Sequence, residues 1–150
     1  MTPFQIAVLG SGSKGNATIM RCASGTVLID AGISCRRIMQ GMKSLGISPE
    51  TLSAVFLTHE HIDHVRGLET FVKNTETPIY ASAGTWQGIR HVLPGLDLRQ
   101  CNSHILKPDA GVLLGGLSVK SFSVSHDALE PSGYTFTHKD HLFAYVTDTG

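Results

Sequence analysis

Apolar and polar positions along this chain mark out its elements before any motif is considered. Phe4 to Leu9 is an apolar-rich run that stops at Gly10-Ser11-Gly12-Ser13-Lys14-Gly15-Asn16, so it predicts a buried strand feeding a loop. Ala17 to Cys22 and Thr26 to Ile29 predict two further strands with a turn at Ser24-Gly25. Between Cys35 and Leu45, residues Ile38, Met39, Met42 and Leu45 form a helical stripe, with Ser34 placed to cap it and Gly46 to end it. Ser48-Pro49-Glu50 predicts a short helical turn, and Ala54-Val55-Phe56-Leu57 a buried strand running into Thr58-His59. Helical spacing returns from Asp63 to about Val72 through Val65, Leu68 and Phe71.

A strand at Pro78 to Ala81 and a helix from Gly84 to Val92 come next, followed by a loop around Pro94-Gly95. The pattern then changes. Ile105 to Lys107, Val112 to Leu114, Leu117 to Val124, Tyr134 to Thr137 and Leu142 to Thr147 read as mostly antiparallel strands with short turns. Strands, then αβ alternation, then a strand-rich stretch predict an α/β protein with mixed sheets and helices on the outside.

A length of 150 residues suits one domain, and 41% hydrophobic against 16% charged residues places the chain among compact globular proteins. The formal net charge of zero argues against coating nucleic acid or an anionic membrane through a global field, while leaving room for a local basic patch. Arg36, Arg37 and Lys43 read as one solvated helix face, with a DNA-facing role as the alternative. No apolar run approaches the ~20 residues of a membrane span. The N-terminal segment has no basic region of the kind that opens a signal peptide. The odd cysteine count, Cys22, Cys35 and Cys101, argues for reduced thiols and a cytoplasmic location. The last residues, Thr147-Asp148-Thr149-Gly150, follow an apolar strand directly, where a terminus usually carries a polar tail or a closing element. Residues 1–150 are therefore expected to be the N-terminal part of a longer domain.

The chemistry concentrates at His59-Glu60-His61-Ile62-Asp63-His64. An apolar strand delivers His59 to a sheet edge, and alternation in extended chain aims His61 the same way. Asp63 and His64 follow where a helix begins. Imidazole and carboxylate suit zinc and similar divalent ions. His126 and Asp148 each end an apolar strand, and a carboxylate beyond a buried strand is costly unless paired or metal-bound. His91, His104, His138 and His141 read as surface, turn or strand-edge residues, and Trp86 as core.

Thr58-His59-Glu60-His61-Ile62-Asp63-His64, Leu28-Ile29-Asp30-Ala31-Gly32, Ser125-His126-Asp127 and Thr147-Asp148-Thr149-Gly150 together resemble the metallo-β-lactamase fold superfamily. Ser11-Gly12-Ser13-Lys14-Gly15-Asn16 is similar to its small cytoplasmic YycJ/WalJ-type branch. The resemblance implies an αββα sandwich with two divalent metal ions at one edge, zinc first and manganese as the alternative. It implies His59, His61 and His126 on the first ion, Asp63 and His64 on the second, Asp148 bridging them, and Asp30 supporting the site from behind. The family's last motif, a further histidine for the second ion, lies downstream of the bridging Asp and has no counterpart in this sequence.

The expected activity is metal-dependent hydrolysis through a metal-bridged hydroxide, with Asp63 also able to accept a proton from the attacking water. By resemblance the substrate is a phosphodiester, DNA first. Ser13 and Asn16 are candidate substrate contacts, since a glycine-rich loop can turn backbone N–H groups toward an anion. The same glycines equally suit an ordinary connecting loop. A cytoplasmic ester or thioester hydrolase of the same fold and a non-catalytic metal-binding protein stand as the alternatives.

Overall fold

A computed structural model describes residues 4–147. Six strands form the first sheet in sequential order: β1 (Gln5–Gly10), β2 (Ala17–Cys22), β3 (Gly25–Ile29), β4 (Leu52–Phe56), β5 (Ile79–Ala81) and β6 (Ser103–Ile105). The first three pair antiparallel, and β3 through β6 are parallel. Parallel neighbours need crossovers, and helices supply them: α1 (Cys35–Ser44), α2 (Ile62–Val65) with α3 (Leu68–Asn74), and α4 (Ala83–Val92). The second sheet is antiparallel in the order β10-β9-β8-β7, from β7 (Gly111–Leu114), β8 (Leu117–Ser123), β9 (Ser132–His138) and β10 (His141–Tyr145).

Two hydrophobic clusters result. One fills the space between the first sheet and the helices, with Ile38, Met42, Leu68, Phe71, Trp86 and Ile89 facing Ile19, Leu28 and Val55. The other lies between the sheets, where Phe56 meets Tyr134 and Phe136 at ring-centroid distances of 5.2 and 5.6 Å. Burying each such side chain contributes about 1.5–3 kcal/mol. Among the described residues no helix covers the outer face of the second sheet, where Leu113 and Leu142 are 71% and 67% exposed.

Ser34 caps α1 as anticipated, accepting a hydrogen bond from the Arg37 N–H at 3.2 Å. Three expectations need correction. β1, read as a buried strand, is the exposed edge of the first sheet, with Val8 62% exposed. The single helix read from Asp63 to Val72 is divided at Arg66-Gly67, because the chain there presses on the backbone of Ile33 and Cys35 and leaves no room for a Cβ at Gly67. The strand read at Ile105 to Lys107 lies two residues upstream and runs parallel to β5, as the edge of the first sheet rather than part of the antiparallel one.

Candidate metal centre

The sheet edge at the C-terminal ends of β3 and β4 collects the chemistry. β3 delivers Asp30, β4 delivers Thr58 and His59, and the segment after β8 brings His126 across from the second sheet. Side-chain nitrogens of His59, His61 and His126 all lie within 4.8 Å of one another. His126 Nε2 is 3.3 Å from His61 Nδ1. Zinc–imidazole bonds of ~2.0–2.1 Å in a tetrahedron separate adjacent nitrogens by about 3.3–3.4 Å, so this spacing suits a divalent ion. His64 Nε2 stands 3.8 Å from Asp63 Oδ2, and its ring centroid is 4.0 Å from that of His59.

Behind the histidines sits Asp30, wholly buried and in the left-handed region at φ 64°. Its Oδ1 accepts from the Thr58 N–H at 2.8 Å, and its Oδ2 from the Thr58 hydroxyl at 2.8 Å and His64 Nδ1 at 2.7 Å. Burial pushes the Asp30 carboxyl above the usual carboxylate range, and the bonds from His64 and Thr58 pull it back. With the Thr58 hydroxyl donating to Asp30, its oxygen accepts from His59 Nδ1, 2.9 Å away. Both histidines thereby carry the proton on Nδ1, which leaves Nε2 as the acceptor atom of each ring, and His64 Nε2 lies 3.3 Å from Asn16 Nδ2.

Asn16, expected as a substrate contact, makes its hydrogen bonds within the protein. Its Oδ1 accepts from the Gly12 N–H at 3.0 Å, while its Nδ2 donates to the carbonyls of Gly12 at 2.9 Å and Asp63 at 3.1 Å. The amide is spent inside the protein, tying the glycine loop to the Asp63 segment. The loop's φ values of 93° at Gly12 and 135° at Gly15 turn those two N–H groups inward, onto Asn16 and the Gly12 carbonyl. Ser13 stays exposed on the loop. Asp148 lies outside the described residues. His138 and His141 pair across the β9–β10 turn beside Phe4, and His104 stacks on Tyr80 at 4.9 Å. None of these belongs to the histidine cluster.

Sequence reasoning passed over Thr58 as a relay and Glu60 as a brace. Glu60 is buried, and its Oε2 accepts from the Leu129 N–H at 3.0 Å, joining the His59–His61 segment to the loop that carries His126. Its position between two histidines was the available signal.

A profile of the β-lactamase superfamily domain matches residues 25–150. The chain belongs to the β-lactamase superfamily. Within this superfamily it is 34% identical over 98% of its length to exodeoxyribonuclease WalJ of Streptococcus pneumoniae serotype 2 (strain D39 / NCTC 7466), covering 55% of that protein. It is 33% identical to exodeoxyribonuclease YycJ of Bacillus anthracis, again over 98% of this chain and 55% of the relative. The chain thus spans about half the length of these curated relatives. The metallo-β-lactamase fold protein YhfI of Bacillus subtilis superimposes with a TM-score of 0.78 over 99% of this chain and 63% of its own, at 17% identity. That likeness establishes the metallo-β-lactamase fold. Among the described residues no helix is long and apolar enough to cross a membrane.

Proposed function

We propose that the complete protein is a divalent-metal-dependent nuclease that hydrolyses phosphodiester bonds of DNA in the cytoplasm. The observation that carries this reading is the convergence of His59, His61 and His126 beside Asp63 and His64, in a chain whose relatives are named exodeoxyribonucleases. His59, His61 and His126 would hold one ion and Asp63 and His64 a second, with Asp148 shared by both, and the imidazole-rich donor set favours zinc over manganese. Such ions supply Lewis acidity and lower the pKa of bound water toward neutrality.

The chain's own residues do the rest. Asp30 and Thr58 hold the tautomers of His59 and His64. Asp63, partly exposed with its carboxylate near His64, accepts a proton from the attacking water. Asn16 fixes the glycine loop against Asp63, and Ser13 on that loop offers a hydroxyl to the substrate phosphate.

The test is to challenge the complete protein, loaded with zinc or manganese, with labelled duplex DNA, a bis-aryl phosphate and a thioester. DNA cleavage that Asp63→Asn and His61→Ala abolish supports the reading. Turnover of the thioester alone would replace it with the small-molecule hydrolase. Metal bound without turnover of any of them would leave a metal-binding protein.

A further inference from the structure

Twelve cationic side chains balance twelve anionic ones over the whole sequence, yet they are not evenly spread. Lys14, Arg36, Arg37 and Arg66 come from three segments that the fold joins beside the histidine cluster. The Asn16 N–H donates to the Asp63 carbonyl at 2.7 Å, and Arg66 Nη1 to the Lys14 carbonyl at 2.7 Å. The Gly67 N–H donates to the Ala31 carbonyl at 2.8 Å, and Gly67 abuts the backbone of Ile33 and Cys35, where α1 begins. All four side chains are exposed, and none is in an ion pair among the described residues. By contrast, Lys73 and Arg99 lie 3.9 and 3.2 Å from Glu69 and Asp97. The only carboxylate in residues 10–16, 31–37 and 62–67 is Asp63, at the candidate centre itself.

We propose that Lys14, Arg36, Arg37 and Arg66 form a cationic rim along which a nucleic-acid phosphate backbone reaches the histidine cluster; this rests on the nuclease reading above. Four cations from three segments exceed what one small anion needs, and a polymer of phosphates supplies partners for all of them. A guanidinium fork matches phosphate oxygens, and Arg66 is already held by its bond to Lys14, so less freedom is lost when its other N–H groups bind. Arg36 and Arg37 lie on the exposed side of α1, opposite Ile38 and Met42. The rim also reconciles zero net charge with a polyanionic substrate, because the positive field is local to the site.

The test is binding of the complete protein to labelled duplex DNA by fluorescence anisotropy, in chelator so that no cleavage intervenes, across a salt series. Removing one cation that neutralises a phosphate lowers the slope of log K against log salt by about 0.9. The Arg36→Gln/Arg37→Gln double variant is expected to lower it by about two and Lys14→Gln by about one. Lys120→Gln, on the outer face of the second sheet, is the charge-matched control and should leave affinity unchanged. Arg66→Lys keeps the charge but loses the fork, and should weaken binding with the slope preserved. If the wild-type protein cuts DNA while the variant lacking all four cations keeps its affinity and slope, the rim is wrong and the nuclease reading stands. If the wild-type protein neither binds nor cuts DNA and turns over a thioester, both fall.

Discussion

Asp30 Oδ2 lies 2.7 Å from His64 Nδ1, with both side chains buried. Three donors on one buried carboxylate would be an odd arrangement for packing alone. It makes sense as a brace that directs two imidazoles, one directly and one through Thr58, toward a common point. The strain of a left-handed aspartate is borne because that backbone turn is what aims the carboxylate inward: the Asp30 N–H stays on the Phe56 carbonyl while the Ala31 N–H reaches His64.

Replacing Asp30 by Asn keeps the size but puts an NH2 group where His64 and Thr58 need an acceptor. The His64 tautomer then loses its anchor. Loss of such outer partners costs about 10–100-fold in metal affinity. Asp30→Asn in the complete protein should show that loss by competition with a chromophoric chelator, at unchanged far-ultraviolet circular dichroism. Wild-type affinity in the variant would refute the brace.

Glu60 and Gly88 make a sharper case. Gly88 sits inside α4, where glycine normally costs about 1 kcal/mol relative to alanine. Here a Cβ would crowd the Glu60 side chain, with Cδ only 2.7 Å away. Gly88→Ala should therefore destabilise the protein in urea, reversing the usual sign. Glu60→Gln retains an acceptor for the Leu129 N–H and should bind metal nearly as the wild type does. Glu60→Ala should lose about 10-fold or more at the three-histidine site, because the His126 loop is no longer tied to His61. Equal affinities in Gln and Ala variants would show that the loop holds itself.

Tyr134 reaches the same region from the second sheet. Its hydroxyl donates to the Leu57 carbonyl at 2.6 Å, one residue before Thr58, and burial together with the Asp30 charge pushes its pKa up. Tyr134→Phe leaves that carbonyl buried without its donor, a cost of about 1–3 kcal/mol. The urea midpoint should fall with the m-value unchanged. A midpoint equal to wild type would mean that another donor reaches Leu57.

Much of this was legible because short-range chemistry wrote it. The stripe of Ile38 and Met42 behind Ser34, and the apolar strands that run toward His59 and His126, announce themselves through spacing. The strand β6 and the division at Arg66-Gly67 were not legible, since each depends on which distant segment lies alongside: β5 in one case, the turn at Ile33–Cys35 in the other. The same reason hid the partners of Asn16. An Asn in a glycine-rich loop suggests a ligand contact, and only the fold reveals that Asp63, 47 residues on, takes its amide. Arg36 and Arg37 read first as one solvated face because nothing local says that Gly67, beside Arg66, packs against Ile33 and Cys35 just before them.

Cys101 offers a pH test that does not touch the centre. Burial raises its thiol pKa from 9.0 to about 11 in the folded protein. Because the folded value is the higher one, the neutral thiol contributes stability that is fully present below pH 9 and is lost as pH rises toward 11. The reactive thiolate is correspondingly scarce, at roughly one in a thousand near pH 8. The three cysteines are all buried, and Cys35 is shifted in the same direction by the same cause. Alkylation of Cys101 in the native protein, followed by peptide mapping, should therefore be slow at pH 8 and should quicken about tenfold per pH unit through pH 10, while urea exposes it at once. Cys101→Ser should weaken the alkaline fall in stability. A Cys101 rate that levels off near pH 9 would refute the burial effect on this thiol.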